Sequence, residues 1–388
     1  MNWHFETWAE SMHSINEPKR LIVFPLLLFA AFFVADKIFL LPSVQIKTQK
    51  DPTYLYYQYK YDLLDKLKTD FSKEAKQERQ VNFEKSKLTG EVALPPKLLI
   101  VIGSSRLLFF DYQTFRRSFP EWEVYNFSVP VNAPAYYAYI LERIYESGVR
   151  PDYLILESDP FQFNEYSPGF RQSNLKYSFD LRFILSHFSQ FDSDDISAYL
   201  GRWLFAGMKF PPHPDRLLSL MQGKDRFLPM FIETSRYTQE TNGCGFSPIP
   251  VPGWFEKDFS TLSISSAGTV GWLYSSYKVS TQQWKFFEQA LEFPHDVNTP
   301  VLILRPQVSR PMQHILNSDS TIVKHTQDWK NRLDQLITNE VFLDFSKGEP
   351  YYCNAYVDGS HMAVECYDPV IDEAMKYYQT AAKNKSSK

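Results

Sequence analysis

An unbroken apolar run from Leu21 to Ala35 resumes past Asp36 and Lys37 through Ile38–Leu41. A helix of about 21 such residues just crosses a hydrocarbon core of ~30 Å. Ala35 at the −1 position of a cleavage site puts Phe33 at −3, so the run reads as an uncleaved anchor rather than a removable leader. Lys19 and Arg20 before it nearly balance Lys37, Lys47 and Lys50 after it, so charge alone does not orient the segment. From Thr53 to about Gly90 the texture is polar, with Leu64, Leu67, Phe71 and Ala75 at helical spacing, which predicts an amphipathic helix or stalk.

After Pro95 and Pro96 the period changes. Leu98–Ile102 is a continuous aliphatic run, the mark of a strand covered on both faces. Further strands are predicted at 123–127, 153–157, 301–305 and 340–344. Helices are predicted at 135–147, 311–318, 328–337 and 368–382. This alternation predicts an α/β fold with a doubly wound, mostly parallel five-stranded sheet. Residues 161–294 depart from it, with helical patterns at 179–188 and 196–205 and a Gly-, Pro- and Ser-rich stretch at 222–278 read as irregular. They are expected to form an insertion beside the carboxyl edge of the sheet. Asp192, Asp194 and Asp195 fit helix capping better than a calcium loop, since Ile196 occupies a ligand position.

The expected organisation is a short tail at 1–20, a transmembrane anchor at 21–42 and a stalk or linker at 43–94. An α/β domain at 95–382 contains the insertion, and a polar tail at 383–388 follows.

Composition narrows the function classes. A formal net charge of −4 leaves no basic footprint for nucleic acid. The three cysteines lack the paired spacing of a zinc site, and no metal or other cofactor is expected. Cys353 and Cys366 bracket an Asp-Gly-Ser-His segment and would close a short loop in an oxidising compartment, whereas the odd count favours buried thiols.

Two short segments carry candidate chemistry. Val101-Ile-Gly-Ser-Ser-Arg106 ends the first strand, and Gly103 permits a sharp turn that presents Ser105 at the carboxyl edge, where open α/β sheets bind ligands. Tyr356-Val-Asp-Gly-Ser-His361 follows the last strand, and His361 alone of the eight histidines has an Asp three residues before it. A carboxylate there can orient the imidazole while its other nitrogen serves a serine. Ser105, His361 and Asp358 are therefore the candidate nucleophile, base and orienting acid. Asn126, Ser128, Gly103 and Arg106 are candidates for oxyanion or substrate contacts.

With these blocks the chain resembles the SGNH, or GDSL-like, hydrolase superfamily over roughly residues 97–160 and 298–382. Gly-Ser-Ser in place of Gly-Asp-Ser, together with the anchor, makes it similar to the membrane-tethered D-alanyl-transfer and alginate O-acetylation branches and to an uncharacterised anchored bacterial family. The resemblance implies a serine esterase or O-acyltransferase at the inner membrane, single-pass, with its soluble domain extracytoplasmic. It would act on an envelope glycan or lipid-linked polymer, with a membrane acyl-donor protein as a conceivable partner. Two departures stand out: Asn126-Phe-Ser-Val-Pro130 lacks the expected Gly, and Leu156-Glu-Ser-Asp159 lacks the expected Asn. These departures motivate the alternative of an inactive scaffold or glycan-binding protein.

Overall fold

The structure, a computed structural model, describes residues 17–108, 112–240, 254–255, 258–348 and 351–386. Along the chain, α1 (Glu17–Asp36) and α2 (Pro42–Thr48) are followed by α3 (Thr53–Asp70) and α4 (Lys73–Thr89). The α/β pattern opens with β1 (Lys97–Ile102), β2 (Trp122–Asn126), α5 (Pro134–Glu146) and β3 (Tyr153–Glu157). Then come α6 (Ser193–Leu204), α7 (Pro214–Met221), α8 (Phe259–Leu273), α9 (Thr281–Asp296) and β4 (Val301–Arg305). Last are α10 (Arg310–Ser318), α11 (Ser320–Leu336), β5 (Val341–Asp344) and α12 (Asp368–Ser386). Two compact units result: residues up to Asp51 with Ser197–Phe231, and Pro52–Ile196 with the chain from Ile232 onward.

In the first unit, α1 and the turn after it contain one stretch, Ile22–Leu40, long and apolar enough to cross a membrane. Asp36 interrupts that stretch without being left unsatisfied. Its carboxylate accepts hydrogen bonds from the amides of Ala206 (2.5 Å) and Gly207 (2.7 Å), which open a one-turn helix, Ala206–Lys209. Lys37 donates to the Leu204 carbonyl, and the ring of Phe205 stands edge-on to Phe29 and Phe33. The expected insertion therefore divides. Residues Ser197–Phe231 belong with the apolar helix, because the Asp36 carboxylate and two aromatic rings hold them there.

The second unit is built on a five-stranded, wholly parallel sheet of order β2-β1-β3-β4-β5. Its aliphatic strands are buried on both faces, as their continuous apolar runs require: Leu98 through Ile102 are all fully buried. Leu99, Val101, Ile155, Leu302 and Leu304 share one core with Tyr367, Ile371 and Met375 of the C-terminal segment. Strand order reverses at β1, whose neighbours are β2 and β3, and the carboxyl ends of β1 and β3 flank the crevice this creates.

The segment expected as an amphipathic helix or stalk is helical, as α3 and α4, broken at Phe71 and restarted by Ser72, whose hydroxyl caps the Ala75 amide (3.2 Å). It packs into the second unit, and two further expectations need revision. Tyr54, Tyr57, Leu63, Leu64 and Leu67 of α3 are buried within the second unit, each large side chain contributing about 1.5–3 kcal/mol. Within the stretch read as irregular, Leu228–Glu240 and Phe259–Leu273 are helical. In α8 the residues buried are Leu262, Ser266, Val270 and Leu273, a helical period masked by serines and glycines. Cys244 and residues 241–253 lie outside the described residues. Cys353 and Cys366 are joined as a disulfide, their Cα atoms 5.6 Å apart, rather than standing as separate thiols. The hairpin bridge between Tyr356 and Met362 brings the two ends of that loop together.

One polar group in the α3 interface makes the fold pH-sensitive. Lys60 is buried and donates to the Asn126 carbonyl at 2.7 Å, and burial pushes its ammonium down to about 7. An unfolded lysine holds its proton to about pH 10.4. The buried charge thus weakens the fold fully below about pH 7, and that penalty is relieved as pH rises toward 10.4. Denaturant titrations should show wild-type stability rising between about pH 7 and 10, and Lys60→Met flattening that rise by one proton's worth. Identical slopes in the two proteins would contradict this account of Lys60.

Candidate functional site

The turn after β1 is fixed from beneath. Ser104 caps the single helical turn Ser105–Leu107, its hydroxyl accepting from the Arg106 amide at 3.3 Å. The carboxylate of Glu157, at the end of β3, accepts from the Ser104 amide (2.6 Å) and the Ser104 hydroxyl (2.9 Å). A side chain on Gly103 would meet Glu157 Oε2 and Leu107 Cδ1 at 2.7 Å each, which explains glycine there. Of the two adjacent serines, one is consumed in holding the turn and the other projects from it.

That projecting group meets its partners. Ser105 Oγ lies 2.7 Å from His361 Nε2, and His361 Nδ1 lies 2.8 and 2.9 Å from the two carboxylate oxygens of Asp358. The amides of Ser360 (2.8 Å) and His361 (3.0 Å) donate to Asp358 Oδ1, so the Asp-Gly-Ser-His loop folds around its own carboxylate. Burial pushes the Asp358 pKa upward, but the charge and hydrogen bond of His361 and these two amides outweigh it, holding the carboxyl well below the usual range. Its stabilising contribution is fully present above the ordinary carboxylate pKa of about 3.9 and is lost only in acid below that.

The loop is seated by close packing against α8. The Gly359 amide donates to Ser265 Oγ at 3.1 Å, and its carbonyl accepts from the Ser309 amide at 3.0 Å. A Cβ at Gly359 would fall 2.7 Å from the Ser266 Cα. The small residues that disguised α8 as loop are thus the ones that admit the histidine loop.

Beneath Ser105 lies a cluster of buried charges. Arg106 donates to Glu157 Oε1 through Nε (3.0 Å) and Nη2 (2.6 Å), and to Asp159 Oδ2 through Nη1 (3.2 Å). Asp159 also accepts from Arg305 Nε (3.1 Å) and from the Tyr274 hydroxyl (2.6 Å), and Arg305 reaches Asp344 at 3.6 Å. Burial works against the Arg106 charge, but Asp159 and Glu157 beside it raise its pKa overall. Burial likewise opposes the Asp159 carboxylate, and Arg106 and Arg305 bring its pKa down. The turn after β1 is thereby tied to the ends of β3, β4 and β5.

A cavity of about 200 Å³ opens over Ser105, lined on its polar side by Ser104, Arg106, Asp358 and His361. Val131, Phe161, Leu273 and Met312 form the apolar side, and Trp272 is half-exposed at the rim. Val131 holds φ at +45°, a costly conformation for a β-branched residue and one typical of functional sites. A larger cleft of about 480 Å³, lined by Asp70, Glu78, Arg79 and Lys85, carries charged groups but no comparable serine–histidine pair.

Among the residues singled out from sequence, Ser105, His361, Asp358 and Arg106 converge on this cavity. Asn126 and Ser128 do not line it. The Asn126 amide donates to the Leu107 carbonyl (2.8 Å) and its oxygen accepts from the Ser128 amide (2.9 Å). Both groups expected to serve an oxyanion are thus engaged in holding the loop after β2. Glu157, Val131, Trp272 and Met312 were not singled out. The one available signal was Glu157 itself, a charge ending an otherwise apolar strand, with Arg106 its natural counterion. Glu157→Gln leaves the buried Arg106 short of an anion and should lower the unfolding free energy by about 3 kcal/mol or more. An unchanged denaturation midpoint would contradict the anchoring role.

The sequence search finds no match among curated proteins. A family model described as "Protein of unknown function (DUF1574)" matches residues 17–378, and the chain belongs to that family.

Proposed function

We propose that the protein is a membrane-tethered serine esterase or O-acyltransferase of SGNH type that handles short acyl esters of an envelope glycan or lipid-linked polymer. The observation that carries this reading is the hydrogen-bonded row Ser105–His361–Asp358 at the sheet's switch point. In it, His361 Nε2 takes the Ser105 proton as Oγ attacks the acyl carbonyl, and Asp358 holds the other ring nitrogen in register. The Ser105 amide, at the open end of its helical turn, is the first oxyanion donor. Collapse of the tetrahedral intermediate expels the alcohol, which leaves with the proton from His361, and an acyl-serine remains. Water or a glycan hydroxyl then attacks that ester, His361 again accepting the proton, so hydrolysis and transfer differ only in the acceptor.

Cavity size supports a small acyl group. Sites for drug-sized ligands enclose about 300–1,000 Å³, whereas this one offers about 200 Å³ with Phe161, Leu273 and Met312 at its apolar wall. Trp272 at the rim gives an acceptor sugar a flat apolar face to rest on. The apolar stretch Ile22–Leu40 supports a single-pass anchor, and a disulfide across the histidine loop supports an oxidising, extracytoplasmic location for the second unit. One observation favours the alternative of a non-catalytic glycan-binding protein. The Asn126 amide is committed to Leu107, so a side-chain oxyanion donor from the loop after β2 is missing.

A fluorophosphonate probe separates the two readings. It should label the wild-type chain and not Ser105→Ala, and Asp358→Asn should lower ester turnover by roughly 10⁴. Acetyl and butyryl esters should turn over faster than octanoyl esters. No labelling, or equal labelling of both chains, overturns the catalytic reading, and a preference for octanoyl overturns the small acyl site.

A further inference from the structure

The first unit carries an apolar surface that its own fold does not cover. On α6 and the turn after it, Leu200, Trp203, Leu204 and Met208 are exposed at helical spacing, Trp203 to 55%. On α7 the usual order is inverted: Arg216 and Ser219 are buried, while Leu217, Leu218 and Met221 face outward, Met221 to 85%. Inside, Arg216 donates to the Ile46 carbonyl (2.6 Å) and forms an ion pair with Asp225. In water such an arrangement exposes the groups that burial would favour and hides those that hydration would favour. Exposed apolar patches of this continuity mark an interaction surface.

The position of the patch along α1 identifies what covers it. Phe205, immediately after Leu204, packs on Phe29 and Phe33, with ring centroids 6.4 and 6.0 Å away, and Asp36 caps the amides of Ala206 and Gly207. Phe29, Phe33 and Asp36 all lie inside the stretch Ile22–Leu40. Side chains within one turn of Phe205 therefore stand beside residues 29–36 of that stretch, and their exposed apolar face continues its surface. Tryptophan is enriched where acyl chains meet headgroups, a boundary its ring suits. Exposed Lys224 and Arg226, just past α7, add cations of the kind that accompany interfacial helices.

We propose that the end of α6, the one-turn helix Ala206–Lys209 and α7 form a second membrane contact, lying in the bilayer interface against α1 with their apolar faces among the lipids. This rests on reading α1 as a membrane span. It gives the chain an interfacial platform in addition to a single crossing helix. It also explains why an acidic residue is tolerated within the span: Asp36 is the bond that fastens the platform to it.

The test uses the full-length chain in phosphatidylcholine–phosphatidylglycerol vesicles containing a phospholipid with a photoactivated diazirine in its acyl chain. After irradiation, modified peptides are mapped by mass spectrometry. Adducts are expected both on residues 22–40 and on residues 200–221. Adducts on 22–40 with none on 200–221 overturn the proposal and leave the anchor intact; a second copy of the chain shielding the patch would give this result. Adducts on neither segment overturn the anchor reading, and the proposal with it. As a second check, Trp203→Asp combined with Leu218→Asp alters two outward-facing residues. The pair should abolish adducts on 200–221 while those on 22–40 persist, and persistence on both segments counts against the proposal.

Discussion

Four buried charges meet where the carboxyl ends of β1, β3 and β4 converge, and the geometry around Ser105 depends on them. Arg106 sits between Glu157 and Asp159, and Asp159 sits between Arg106 and Arg305. Two cations and two anions offset one another within this cluster, and Asp344 at its edge faces Arg305; the loss of any one buried member would strand its partner. Glu157 does a second job by gripping both the amide and the hydroxyl of Ser104. The orientation of the next residue, Ser105, is thus set by a buried charge cluster of which Arg106 also lines the cavity. A parallel sheet offers this edge for function because all its strands end there.

The histidine half of the site is organised on a different principle. Its loop is held by close backbone packing, glycine at 359 against Ser265 and Ser266, and by a hairpin whose base is crossed by the Cys353–Cys366 disulfide. One half of the site rests on ionic complementarity and the other on small residues and a covalent tie. The two halves meet across a hydrogen bond of 2.7 Å between residues 256 apart in sequence.

Much of this was legible in the chain. Aliphatic runs such as Leu98–Ile102 and Val301–Arg305 have little choice but to become buried parallel strands, and each lies within a residue of its expected bounds. The convergence of Ser105 with Asp358 and His361 was legible in outline, because Ser105 directly follows β1 and the other two lie in the segment beyond β5 at the same edge of the sheet. What stayed hidden depends on tertiary partners. Helix α8 reads as loop until the histidine loop that needs its serines is in place. The polar residues of α3 read as a solvated stalk until Tyr57 and Lys60 are seen holding the loop after β2 through the carbonyls of Pro130 (3.3 Å) and Asn126 (2.7 Å). The division of the insertion between two units rests on contacts such as those of Asp36 and Arg216, whose partners lie far along the chain.

The central claim is that Ser105 carries the acyl group during turnover. Its most direct test is peptide mass analysis of the full-length chain quenched in acid while it turns over p-nitrophenyl acetate. The account predicts one acetyl group, on Ser105, absent when His361 is replaced by alanine. Turnover with Ser105 unmodified, or an acetyl group carried by another residue in its place, would contradict it.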